Sequence, residues 1–252
     1  MTRVIAVASG KGGVGKTTLV SNLSYALTEL GKDVTAVDTN LTTPHLGLHL
    51  GYHMVPKSLH DFLRDNANLK DIIYYHPFGF KVIPAGLSVN DLVGTNPDKL
   101  QSLTANLQGK TDFVILDSAP SLGREATLSL KIADEILLLT NPNLPAVLDI
   151  LKVAKVAENL KKPILGVVIN RTTRKNSDLS SSEIEEVVKY PLIAEIPEDV
   201  NVQKSLAART TVVDYYPNSP ASIEMRRVAH YLVGKKFDYK QGFLERIFNM
   251  FK

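Results

Sequence analysis

Cysteine does not occur in the 252 residues. Disulfides, thiolate metal sites, iron–sulfur clusters and cysteine nucleophiles are excluded together, and the composition suits a reducing compartment. Nor is there an apolar run near the ~20 residues that a membrane span requires. The first residues lead straight into a strand-like stretch, so no signal peptide is expected and the body should be soluble and cytoplasmic. Gly/Ser/Pro-rich linkers, long charge blocks, internal repeats and low-complexity tracts are also missing. One large domain is therefore expected rather than two small ones, and 44% hydrophobic content is enough to build its core. A strong excess of one charge is lacking as well. The formal net charge of +3 is spread along the chain, which argues against a dedicated nucleic-acid surface.

What the chain does contain is regular alternation. Short, largely β-branched runs at residues 4–7, 34–37, 80–83, 113–116, 135–139, 164–169 and 192–196 read as strands. Several are continuously apolar, as strands buried on both faces are. Between them, helical patterns fall near residues 18–30, 59–64, 97–107, 126–132, 144–160, 181–188 and 223–233, the first stopped by Gly31 as a C-cap. This order predicts an α/β fold with a doubly wound, mostly parallel sheet flanked by helices.

Between the first strand and first helix, residues 9–18 read Ser-Gly-Lys-Gly-Gly-Val-Gly-Lys-Thr-Thr. Gly10, Gly15, Lys16 and Thr17 fit the pattern G-x-x-x-x-G-K-[ST] in its strand-to-helix setting. Glycines let successive backbone N–H groups, from Gly12, Gly13, Val14 and Gly15 onward, converge on phosphate oxygens, and the helix N-terminus adds partial positive charge. In such loops the lysine, here Lys16, bridges the β- and γ-phosphates. Thr17 would ligate Mg²⁺, and Thr18 would lie near the α-phosphate. A second Mg²⁺-holding acid is then required, and Asp117 supplies it at the end of the apolar run 113–116, where ligands bind in open α/β sheets. Taken alone, Asp117 also reads as a cap of the following turn.

The loop carries a second lysine, Lys11. Its side chain leaves the start of the turn, where the backbone is already committed to phosphate. An outward-pointing cation there serves best a phosphate held by another subunit of a two-fold dimer. The stretch K-G-G-V-G-K-T-T resembles the deviant Walker A motif of the MinD/ParA ATPases, with the MinD branch nearest, and the likeness runs along almost the whole chain. Residues 37–46 resemble switch I and residues 116–120 resemble switch II with its Walker B aspartate. Residues 140–142 with Asp149 resemble the T-N-P segment and the helix after it. Residues 168–171 and 196–199 resemble the two segments that hold adenine, which assigns Asn170, Arg171, Pro197, Glu198 and Asp199 to the base. The resemblance implies a Mg²⁺-dependent ATPase using ATP and ADP, an ATP-sandwich homodimer in which Lys11 acts in trans, and a protein partner or activator on another chain. Asp149 would couple the phosphate site to that partner, although its plain reading is an exposed helix residue.

One position departs from the family. Switch I usually reads D-x-D, and its second aspartate orients or activates the attacking water. Here Asp38 is kept, to hold the Mg²⁺ shell or place the water, but the second position is Asn40. An amide hydrogen-bonds a water without taking its proton, so the residue is either a weakened catalytic group or simply a turn residue. A trapping substitution would look the same.

After residue 234 the composition changes, and residues 235–252 are expected to form a lysine-rich connection and a tail, distinct from the domain of residues 1–234. Phe243, Leu244, Ile247, Phe248 and Phe251 share one helical face. Such a helix suits an anionic membrane interface, and it resembles the membrane-targeting sequence of the MinD branch. The expected location is therefore cytoplasmic, and peripheral at the inner face of the cell membrane in the ATP state. The other reading is a helix packed on its own domain.

Three alternatives stand beside this reading. A ParA-like partitioning ATPase would bind DNA through arginines and lysines such as Arg171, Arg174, Lys175, Arg226 and Arg227, but would leave the tail unexplained. An iron–sulfur carrier is opposed by the missing cysteines. A slow nucleotide switch would follow from Asn40. His45, His49, His53 and His60 cluster after switch I, but their spacing does not place all four on one helical face, so no metal site is expected there.

Overall fold

The computed structural model describes residues 1–173 and 178–238. Its first half runs β1 (Arg3–Ala8), α1 (Lys16–Glu29), β2 (Val34–Asp38), α2 (Leu46–His49), α3 (Leu59–Leu63), α4 (Leu69–Ile72), β3 (Tyr74–Tyr75), β4 (Lys81–Ile83) and α5 (Leu100–Leu107). The second half continues with β5 (Phe113–Asp117), α6 (Arg124–Ile132), β6 (Glu135–Thr140), α7 (Leu144–Asn159), β7 (Ile164–Thr172), α8 (Ser181–Val188), β8 (Leu192–Pro197), α9 (Val200–Ala207), α10 (Val212–Tyr215) and α11 (Pro220–Leu232). The eight strands form one sheet in the order β3-β4-β2-β5-β1-β6-β7-β8. Every pairing is parallel except β3 with β4.

The apolar runs follow from this layering. In β1, Ile5 and Val7 join a core with α1, α10 and α11 on one face. Val4, Ala6 and Ala8 join a second core with α3, α5, α6, α7 and α8 on the other. A strand covered on both faces has no polar side to show, and its alternation disappears. Truncating a fully buried side chain such as Leu27 or Leu138 to alanine is worth about 2–5 kcal/mol at sites of this kind.

All seven expected strands are present, and the differences lie at short elements. β3 was not anticipated, since two residues carry no period. Neither were the single-turn helices α2, α4 and α10, nor α9. The C-terminal helix starts at Pro220 rather than 223, because the Ser219 hydroxyl accepts from Ser222 N–H and a proline sits at the first turn. Gly31 follows α1 at φ +75°, donating to Thr28 O at 2.9 Å.

The central strands set up the site. β2, β5 and β1 are neighbours, and Asp38 is the register partner of Asp117, which in turn pairs with Val7. The loops leaving these three strands therefore gather at the carboxyl end of the sheet.

Candidate functional site

The loop from Ser9 to Gly15 joins β1 to α1. Gly15 takes φ +102°, and a Cβ there would lie 2.3 Å from Asn170 Nδ2. A Cβ on Gly10 would lie 2.4 Å from the Asp149 backbone on α7. Both glycines are thus required by close approach, and Asp149 backs the loop through its main chain. Its carboxylate meets Lys152 at 3.0 Å.

Lys16 is buried and its Nζ donates to Ser9 Oγ at 2.8 Å, while Ser9 Oγ donates to Lys11 O at 2.8 Å. Burial lowers the Lys16 pKa, partly offset by attraction to Asp117. The Thr17 hydroxyl lies beside the Asp117 carboxylate and favours its charged form. Asp117 Oδ1 is buried with no hydrogen-bond partner among the described residues. Burial raises the Asp117 pKa, against the pull of Thr17, Lys16 and His45. Asp38 beside it is raised too, by burial and then by repulsion from Asp117. Two register-paired buried carboxylates, an orphaned acceptor and an adjacent hydroxyl fit a hard divalent cation, whose charge relieves the repulsion and which prefers oxygen donors.

Asp38 itself is occupied. Its Oδ1 accepts from Asn40 N–H at 3.2 Å, and its Oδ2 accepts from His45 and Leu46 N–H at 3.0 and 2.9 Å. Its visible task is to fold residues 39–46. Asn40 closes the same turn: its amide donates to Thr43 O, and its Oδ1 accepts from Thr43 N–H and Oγ1 at 3.4 and 3.2 Å. The turn-residue reading of Asn40 thus has a concrete basis.

Lys11 Nζ reaches Asn143 Oδ1 at 3.4 Å. Asn143 also caps α7. Gly12, Gly13, Lys16, Thr17, Asn40 and Thr43 line a cavity of ≈ 360 Å³ together with His45 and His49. His49 is held neutral, its pKa lowered to about 4 by burial and by His45. An adjoining cavity shares Gly15, Thr18, Arg171 and Leu206 and adds Asn170, Pro197, Glu198 and Asp199. Asn170 Nδ2 donates to Val14 O at 2.7 Å, so the second segment is tied to the loop. Asp199 spends its carboxylate on Asn201 and Ala221 N–H, at 2.9 and 3.3 Å. Arg171, at φ +61°, faces Glu198 at 3.7 Å.

Sequence reasoning missed Ser9 and Thr43, and it missed the apolar lining from Val202, Leu206 and Met225. Ser9 could have been found from its place before the first glycine. The apolar residues carry no local signal. Among the described residues no group of three or more His, Asp or Glu side chains is disposed to hold a metal. His60 is buried elsewhere, accepting from Gly86 N–H at 2.9 Å. The arginines considered for DNA are engaged: Arg226 holds Glu29 at 2.7 Å and Arg227 holds Glu224 at 2.8 Å. Arg174 and Lys175 lie outside the described residues, as do the tail residues Phe243, Leu244, Ile247, Phe248 and Phe251.

A parallel sheet doubly wound around a glycine-rich loop that opens a helix defines a P-loop nucleotide-binding fold. The chain belongs to the CobQ/CobB/MinD/ParA nucleotide-binding domain family, whose model matches residues 5–212. It is 34% identical over 238 residues to an ATP-binding protein of Methanocaldococcus jannaschii, covering 94% of this chain and 90% of that one. The septum site-determining protein MinD of Pyrococcus horikoshii, complexed with Mg-ADP, superposes with a TM-score of 0.89 at 35% identity, covering 92% of this chain and 96% of that one. The cell division ATPase MinD of Pyrococcus furiosus gives 0.90 at 35%, covering 93% and 99%.

Proposed function

We propose that the chain is a Mg²⁺-dependent ATPase of MinD type that forms a homodimer around ATP, attaches to anionic membrane through its C-terminal tail, and acts as a spatial regulator answering to a protein partner. The observation that carries the nucleotide part is the buried, unpartnered Asp117 Oδ1 beside Thr17 and Lys16. In this reading Thr17 and Asp117 hold Mg²⁺, which when bound withdraws charge from phosphate oxygens. The Lys16 ammonium, desolvated and served by one neutral hydroxyl, gains most from a phosphate oxygen as partner. The N–H groups of Gly12 to Thr17 converge on the same anion. Asn170, Arg171 and Pro197–Asp199 hold the base against Leu206 and Met225.

Asn40 favours slow turnover, because its amide is spent on Thr43 and takes no proton from water. That supports a second reading, a switch that cycles rarely without its partner. The dimer, membrane and regulator parts draw on the family and on residues 239–252.

Titration with fluorescent ADP in the presence and absence of Mg²⁺ tests the nucleotide part. Wild type should bind, and Lys16→Gln should lose at least about a hundredfold in affinity, as removal of a charge-assisted contact implies. Equal binding by the two proteins would end this assignment.

A further inference from the structure

The segment that closes over the phosphate end of the cavity is gripped from behind by α6. Two residues one turn apart on that helix do this. Ser129 Oγ donates to Thr39 Oγ1 at 2.9 Å, and Thr39 donates from both N and Oγ1 to Asp117 O at 3.0 Å. Glu125 accepts from Thr42 twice, from the backbone N–H at 3.2 Å and from the hydroxyl. Thr39 and Thr42 therefore face the helix, while Asn40 and Thr43, bonded to each other, face the cavity with Lys16 and Thr17. A rigid turn with one side clamped cannot move its other side independently.

We propose that Glu125 is a positioning residue which, through Thr42, sets where Asn40 and Thr43 stand over the phosphate end, and so tunes the preference for nucleoside triphosphate over diphosphate. The inference rests on the nucleotide-binding reading above. Its physical basis is differential: the diphosphate needs only the loop and Lys16, whereas a longer phosphate chain reaches the residues the clamp holds. A ligand shifts a two-state segment only by its difference in affinity for the two states. Glu125 accepts twice from Thr42 through one carboxylate, so a single substitution releases both contacts.

The test is a double-mutant cycle on the full chain with Mg²⁺, reading affinities for a fluorescent non-hydrolysable ATP analogue and for fluorescent ADP. Glu125→Ala and Thr42→Val should each lower the analogue-to-ADP affinity ratio by about five- to tenfold. The double variant should be no worse than either single one, and Glu125→Gln, which keeps one acceptor, should recover part of the ratio. Hydrogen exchange without nucleotide should show faster exchange at the Thr42 and Thr43 amides in Glu125→Ala. An unchanged ratio, an additive cycle, or equal loss of both ligands would overturn the proposal, the last by showing a purely structural role. Failure of wild type to bind either nucleotide would instead remove the reading on which it rests.

Discussion

Asn40 and Asp117 show how one atom at a time decides what this pocket does. Asn40→Asp keeps the acceptors for Thr43 N–H and Oγ1 but removes the donor to Thr43 O. It also brings a third carboxylate beside Asp38, whose Oδ1 accepts from residue 40. The nucleotide-free protein should lose about 1–2 kcal/mol of stability from the unmet carbonyl and added repulsion. A carboxylate can take a proton, and single-turnover hydrolysis should rise about tenfold or more. If hydrolysis is unchanged while stability drops, residue 40 is a turn residue and nothing more. Asp117→Asn has the opposite signature. The raised pKa of Asp117 means that the folded surroundings as a whole disfavour its charge, despite Thr17 and Lys16. The neutral isostere should therefore stabilise the metal-free protein, on the order of 1 kcal/mol. Thermal unfolding should at the same time lose the extra stabilisation that Mg²⁺ with ADP confers on wild type. An equal shift with Mg²⁺-ADP in both proteins would remove Asp117 from the metal site.

The short antiparallel edge formed by β3 and β4 carries a pH dependence of its own. His76, in the turn between them, stacks on Phe80 at 4.5 Å and accepts from Phe78 N–H through Nδ1 at 3.3 Å. Burial lowers its pKa to about 4 from 6.5. Because the unfolded chain binds the proton more readily, stability contributed here is complete above about pH 6.5 and declines as pH falls toward 4. The slope from one such residue is at most about 1.4 kcal/mol per pH unit. Denaturant unfolding between pH 4.5 and 7.5 should show a shallower slope for His76→Asn, which keeps an acceptor for Phe78 N–H but does not titrate. Identical slopes would mean that His76 is already accessible to protons in the fold. This edge was also the part of the sheet least legible in the sequence. The seven longer strands announce themselves by apolar runs that the two cores explain, residue by residue, in β1. Two-residue β3 and single-turn α2, α4 and α10 have too few residues for a period to show. Two of them are held from other elements: Asp38 Oδ2 accepts from His45 and Leu46 N–H at the start of α2, and Tyr74 OH of β3 donates to Lys57 O.

For the molecule as a whole, the same contrast separates the site from its consequences. The phosphate end was legible because its donors are contiguous from Gly12 to Thr18, and Asp117 ends a strand. The cavity proposed for the base was only half legible, since Leu206 and Met225 line it from separate helices. In the proposed function the nucleotide state reaches location through the tail, and energetics set what that proposal expects of it. Five apolar side chains each contribute about 1.5–3 kcal/mol on burial. Ordering ten or so residues costs about 1–2 kcal/mol apiece, so on this proposal a single tail would sit near balance and bind weakly. The chain enters the tail from a fixed point: Phe237 packs on the His230 ring at 4.8 Å and under the Arg227 guanidinium at 5.1 Å. Two tails leaving the proposed dimer would act at a raised local concentration, and avidity would exceed single-tail affinity by about a hundredfold or more. Cosedimentation with anionic liposomes should show pelleting in Mg·ATP, little in Mg·ADP, and none in a truncation ending at Gln241. Pelleting that ignores the nucleotide would separate the tail from the ATPase cycle. Pelleting that survives truncation would move the contact onto the folded domain, where no helix among the described residues is long and apolar enough to cross a membrane. A surface charge patch would then have to supply the attraction, and raising the salt concentration would release the protein.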